Sequence, residues 1–272
     1  MGTKVYQGKK QDGDFTVLTE DSLTEEAGLQ IIINDKPFSI TMRTPGFDKE
    51  LIRGLLHAEG IIKLRDYHPA ISFNDGKKGI RFASLTIPES ALGSSYTNHR
   101  SLLSVSSCGI CGKTELEDHQ CSDRLDTESE RFDSRDLTEM FKKMEIKQKT
   151  FISSGGSHAA AAFRASGELI CLREDIGRHN AVDKVVGHLL QNDRIKEAKF
   201  LLVSGRISYE IVIKCFKAKI PTLAAVSAPS TLAVDYAKEL GITLIGFARE
   251  NRSTCYANTH RLINNQQKTH SK

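Results

Sequence analysis

Apolar residues along this chain fall into short runs and amphipathic stretches whose spacing predicts most of its regular elements. Leu29-Gln30-Ile31-Ile32-Ile33 predicts a strand, Asn34-Asp35-Lys36-Pro37 a turn, and Phe38 to Met42 the returning strand. Thr44-Pro45-Gly46 breaks the pattern, and from Asp48 to Gly60 Leu51, Leu55, Leu56 and Ala58 fall near helical spacing. Asn74-Asp75-Gly76 is a turn before a strand from Ile80 to Ile87. Residues 1–15 carry no such pattern and read as a loose polar arm. Residues 1–100 thus predict an α+β lobe.

Between Lys113 and Glu139 ten acidic residues stand against four basic ones, which predicts a solvated connector with one helix from about Asp133 to Met144. Beyond Phe151 the texture changes. Strands His158–Phe163 and Glu168–Leu172 flank a turn at Ala165-Ser166-Gly167. Helix Ala181–Leu190, strand Phe200–Val203, helix Glu210–Phe216, strand Thr222–Val226, helix Thr231–Leu240 and strand Ile242–Phe247 then alternate. Such alternation predicts parallel pairing with helices on the sheet faces. The fold class is therefore α/β: an α+β lobe at 1–100, a connector at 101–149 and a three-layer α/β lobe at 150–272.

With 39% apolar and 26% charged residues the composition is that of a globular chain. No run approaches the roughly 18 apolar residues that span a bilayer, and Met1 to Phe15 lacks a signal-like hydrophobic segment. No membrane association and a cytoplasmic location are expected. The net charge of +4, with no Trp and no basic stripe interleaved with aromatics, suits an anionic ligand and argues against nucleic acid.

The cysteines sharpen the picture. Reduced cytosolic thiols do not build disulfide frameworks, so a C-x-x-C pair there is catalytic or metal-binding. Cys108 and Cys111 form such a pair within Ser106-Ser107-Cys108-Gly109-Ile110-Cys111-Gly112, boxed by glycines that leave both sulfurs open. Three chemistries fit it: a dithiol–disulfide couple, a zinc site recruiting His119 and Cys121, or a persulfide carrier. Cys171 and Cys215 sit in apolar patterns and read as inert core residues.

Small and polar residues gather just past the predicted strands of the second lobe. Gly156 and His158, the segment holding Asp175, Arg178 and His179, then Ser204 and Arg206, and finally Ser227 and Ser230 all occupy such positions. Backbone N–H groups freed by glycine, hydroxyl donors and arginines together suit a phosphate-bearing ligand. Phe247, Ala248, Arg249, Glu250, Asn251 and Arg252 follow the last long strand, with two arginines able to clamp phosphate or stack on a base. Neither a Walker motif nor G-x-G-x-x-G is present.

These stretches together resemble the formate dehydrogenase accessory sulfurtransferase family, FdhD. The resemblance runs through Thr44-Pro45-Gly46, Gly54 to Ile62 (GLLHAEGII), Ser107 to Gly112, Gly155 to Ala160, Glu174 to Gly187 (EDIGRHNAVDKVVG), Ser204 to Glu210, Ser227 to Ser230 and Gly241 to Arg249, across roughly residues 40–262. It implies a sulfurtransferase that takes persulfide sulfur from a cysteine desulfurase onto Cys108. The sulfur then passes to the bis-molybdopterin guanine dinucleotide form of molybdenum cofactor, bound as substrate, ahead of formate dehydrogenase. It further implies a homodimer, a guanine nucleotide as substrate mimic, nucleotide contacts at Phe247 to Arg252, and a fold similar to cytidine deaminases. The deaminase zinc signature is missing, since Ser107 precedes Cys108.

Overall fold

The computed structural model describes residues 2–63, 67–98, 124–125, 131–249 and 252–263. The expected polar arm is a ribbon of two antiparallel strands, β1 (Thr3–Asp12) and β2 (Phe15–Thr24), which corrects the reading of residues 1–15. Gly13, at φ 59°, takes the first central position of its two-residue turn, where a left-handed backbone suits glycine. Both faces of this ribbon meet solvent, so burial imposes no strict alternation that the sequence could display.

The first lobe holds the expected hairpin, helix and strand beyond Ile80, with a further strand at Ile71–Asp75 that the pattern does not predict. Strands β3 (Ala27–Ile33), β4 (Lys36–Arg43), β5 (Ile71–Asp75) and β6 (Arg81–Leu85) form a sheet in the order β4-β3-β6-β5. Asn34 and Asp35 both adopt positive φ in the tight turn between β3 and β4. Helix α1 (Asp48–Ala58) packs Leu51, Ile52 and Leu56 against Leu29, Ile31 and Ile33, all fully buried. A short helix, α2 (Ser94–Asn98), closes the lobe.

The second lobe is a three-layer sandwich. Its elements are β7 (Phe132–Asp133), α3 (Ser134–Glu145), α4 (Lys149–Ser154), β8 (His158–Phe163), β9 (Leu169–Asp175), α5 (Arg178–Gln191) and β10 (Phe200–Val203). They continue with α6 (Tyr209–Lys217), β11 (Thr222–Ala225), α7 (Thr231–Leu240), β12 (Thr243–Arg249), β13 (Arg252–Ala257) and β14 (Leu262–Ile263). The central sheet runs β13-β12-β11-β10-β8-β9. Within it β10, β11 and β12 pair in parallel, joined by the crossovers through α6 and α7, while α5 links β9 to β10, which are separated by β8. The hairpin partners β8–β9 and β12–β13 are antiparallel, so the sheet is mixed where the alternation alone predicts parallel pairing.

Side chains alternate across this sheet. Ala160, Ala162, Leu201 and Val203 face the layer of α5, α6 and α7, whereas Ala159, Ala161, Phe163 and Leu202 meet Leu137, Met140 and Met144 of α3. Asp133 opens α3 with a reciprocal capping box to Asp136. Among the described residues no helix is long and apolar enough to cross a membrane.

The lobes join where α1 crosses α5. A Cβ on Gly54 would run into the carbonyl of Asp183, and one on Gly187 into the carbonyl of Glu50, so each backbone lies against the other helix where only hydrogen fits. Around this crossing Glu50 accepts from Arg173 Nη2 at 2.8 Å and lies 3.0 Å from His188 Nδ1, and Lys217 donates to the Ala58 carbonyl at 3.0 Å.

Candidate functional site

The carboxyl ends of β10, β11 and β12, together with the start of antiparallel β8, meet at one edge of the sheet. Open α/β sheets bind ligands at this edge. Here α3 and the turn after α4 stand away from it and enclose a cleft of about 760 Å³, within the usual range for a small-molecule site. Leu137, Phe141 and Met144 of α3 give it an apolar wall, and the strand ends give a polar one.

Local chemistry positions the polar wall. Glu174 accepts from the backbone N–H groups of Thr150 (2.9 Å) and Phe151 (2.8 Å) and from the Ser157 hydroxyl (2.9 Å), which pins α4 and its following turn. Ser204 ties β10 to β8, accepting at Oγ from the Ala159 N–H while its own N–H donates to the Ala159 carbonyl, both at 2.9 Å. Arg249 donates from Nε to the Val226 carbonyl at 2.8 Å, leaving its Nη atoms beside the cleft. Lys142 joins from α3, paired at 2.8 Å with Glu139.

His158 occupies the middle of this wall, half-buried. Burial, then the charges of Arg178, His179 and Arg206, hold its imidazole below the usual histidine range, against an opposing pull from Asp175. It stands neutral at pH 7, with a donor and an acceptor nitrogen.

The structure therefore brings Gly156, His158, Ser204, Ala248, Arg249 and Arg252 onto one cleft, while Phe247 lines an adjoining hollow with the same two arginines. Arg178 and Arg206 flank His158 without lining the cleft. Asp175, His179, Ser227 and Ser230 do not line the cleft. Asp175 is wholly buried, ion-paired with Lys184 at 2.7 Å, and accepts from the N–H groups of Thr44 (3.1 Å) and Gly177 (2.8 Å). His179 is interior as well, its Nε2 3.1 Å from the Ser208 hydroxyl and 2.8 Å from Glu210. Asp175 serves the junction of the lobes and His179 that of α5 with α6, because polar groups so deep need partners. Ser230 caps α7, accepting at Oγ from the Ala233 N–H at 3.2 Å, and the Ser227 carbonyl accepts from the Phe247 N–H at 3.1 Å.

Cys108, Cys111, His119, Cys121, Glu250 and Asn251 lie outside the described residues. Cys171 is buried, its thiol pushed up to about 12 by burial, and burial raises Cys215 further, so both are inert as expected. Lys142, Thr138 and the apolar wall of α3 were not legible as site residues. Their signal is an amphipathic helix, which reports burial and says nothing of a cleft along its border.

With this geometry in view, known proteins resemble the chain along nearly its whole length. The FdhD/NarQ family model matches residues 24–263. A protein of Streptomyces avermitilis named sulfur carrier protein FdhD is 41% identical over 251 residues, covering 89% of each chain. Its counterpart in Sulfolobus acidocaldarius, with the same name, is 38% identical over 261 residues, covering 95% of this chain and 98% of the other. A crystal structure of a protein from Desulfotalea psychrophila, described as a formate dehydrogenase accessory protein, superimposes with a TM-score of 0.73 at 19% identity. It covers 96% of this chain and 99% of that one. At that identity the likeness speaks for the fold.

Proposed function

Because the chain belongs to the FdhD/NarQ family, we propose that it is a sulfur carrier serving formate dehydrogenase, with Cys108 as the acceptor. The thiolate of Cys108 attacks the outer sulfur of a donor persulfide held by a cysteine desulfurase; the new S–S bond forms as the donor's thiolate leaves. Cys111, two residues on, is placed in sequence to resolve or tune the persulfide. The sulfur is then handed to the bis-molybdopterin guanine dinucleotide cofactor, which the protein binds as a substrate.

The observation that carries this reading is the cleft. It sits at the carboxyl edge of parallel strands, combines an apolar wall with Lys142, His158, Arg249 and Arg252, and has the volume for one nucleotide arm with its phosphates. The two arginines offer planar forks to phosphate or a flat face to a base.

Two measurements test it. Incubation with desulfurase and cysteine should add sulfur to the wild-type mass, and Cys108→Ala should remove that adduct while guanine nucleotide still binds. Arg249→Ala and Arg252→Ala should each weaken guanine nucleotide binding by roughly tenfold by calorimetry, the loss of one charge-assisted contact. A wild-type protein that gains no sulfur and binds no guanine nucleotide would overturn the reading.

A further inference from the structure

The arginines that the sequence assigns to one phosphate-bearing ligand part into two groups in the fold. Arg249 and Arg252 line the cleft, whereas Arg178 and Arg206 stand outside it, where both charges act on the His158 imidazole. Arg178 opens α5 and Arg206 follows β10, so two separate segments bring guanidinium groups to one place. Neither arginine forms a hydrogen bond or ion pair among the described residues, and Arg178 Nε is buried without a partner. Two guanidinium groups of like charge held together in this way need a counter-charge.

The carboxylates around them are engaged elsewhere. Asp175, which also acts on His158, is held by Lys184 and by the N–H groups of Thr44 and Gly177. Glu210 pairs with His179. Gly205, between Ser204 and Arg206, leaves bare backbone at the same spot. A Cβ there would come within 3.2 Å of His158 Nδ1 and 3.5 Å of Arg178 Cδ. Its φ lies outside the left-handed region, so here glycine serves space and not backbone conformation. Arg206 is exposed and Arg178 partly so, which leaves them open to an ion from solvent.

From these observations we infer that Arg178, Arg206 and His158 form a second anion site, separate from the cleft, for a compact oxyanion: a phosphate group or the oxo end of a metal centre. Guanidinium forks grip such an anion through paired N–H groups, and the neutral imidazole adds one donor. Because His158 also lines the cleft, a ligand with anionic groups at two points engages both sites at once. The inference goes beyond the sulfur-carrier reading and does not rest on it, since inorganic anions alone probe the site.

Equilibrium dialysis of the full chain against inorganic molybdate, and separately inorganic phosphate, tests it. The Arg249→Ala/Arg252→Ala background removes the cleft's own arginines, and one anion per chain should remain bound there. Adding Arg178→Gln or Arg206→Gln should weaken that binding by about tenfold, and Arg206→Lys, which keeps the charge but loses the fork, by less. Gly205→Ala should also weaken it with every charge in place, a loss that net charge alone does not produce. Neither arginine carries a bond among the described residues, so the Gln variants should melt with their parent. Phosphate held more tightly than molybdate identifies a phosphate group as the occupant, and the reverse order the oxo end of a metal centre. No bound anion in that background, or binding that Arg178→Gln, Arg206→Gln and Gly205→Ala leave unchanged, overturns the inference. Either result leaves the sulfur-carrier reading to its own tests, the sulfur adduct and guanine nucleotide binding.

Discussion

His158 illustrates how neighbours, more than residue type, set the chemistry of this site. A histidine at a strand start is unremarkable in the sequence; burial together with Arg178, His179 and Arg206 makes it a neutral donor–acceptor beside two cleft arginines. Its folded-state pKa lies below that of a free imidazole, so the fold disfavours the protonated form. Stability from this group is complete above the unfolded pKa and falls as pH drops through it toward the lower folded value. Between about pH 7.5 and pH 5 the melting temperature of the wild type should therefore fall more steeply than that of His158→Gln. Equal slopes in differential scanning fluorimetry would show that the imidazole is not perturbed.

At the scale of elements, the contact between α1 and α5 decides how the two lobes sit. Gly54 and Gly187 look like ordinary helix-weakening residues in the sequence, where glycine costs about 1 kcal/mol relative to alanine. The crossing reverses that expectation, because a methyl group at Gly187 strikes the backbone of Glu50, which cannot turn aside as a side chain could. Gly187→Ala should destabilise the protein by about 2 kcal/mol or more in urea unfolding, in spite of its better helix propensity. A stabilised variant would mean that the helices move apart without cost.

Across the whole molecule, the segment from Glu174 to Lys184 binds the lobes together. Asn180 donates to the Met42 carbonyl at 2.8 Å, Lys184 to the Thr44 carbonyl at 2.8 Å, and Asp175 accepts from the Thr44 N–H. Read from the sequence, Asp175 and His179 belong to an anion-binding loop; in the fold, the Asp175–Lys184 pair lies in the second lobe and each partner bonds to the Thr44 backbone of the first. Asp175→Asn leaves the Lys184 ammonium buried without its counter-charge, which costs about 3 kcal/mol. The wild type should unfold in one calorimetric transition, and Asp175→Asn should lower that transition and separate the lobes into two. A single unshifted transition in the variant would show that Asp175 does not couple them.

What the sequence determined by itself was local. Turn pairs such as Asn34-Asp35, the helix beginning near Asp133, the period of Leu51, Leu55 and Leu56, and the alternation of strands and helices beyond Phe151 each act over a few residues, so they are legible without coordinates. The Cys108–Cys111 pair and the family motifs belong to the same category, because they are contiguous in the chain. Only the tertiary structure decided which polar groups face a ligand. Arg249 and Lys142 line the cleft from β12 and α3, whereas Asp175 and His179 turn inward, and the distinction depends on packing between segments far apart in the chain. It also decided that residues 3–24 form a ribbon, since a strand wet on both sides leaves no hydrophobic period for the sequence to show.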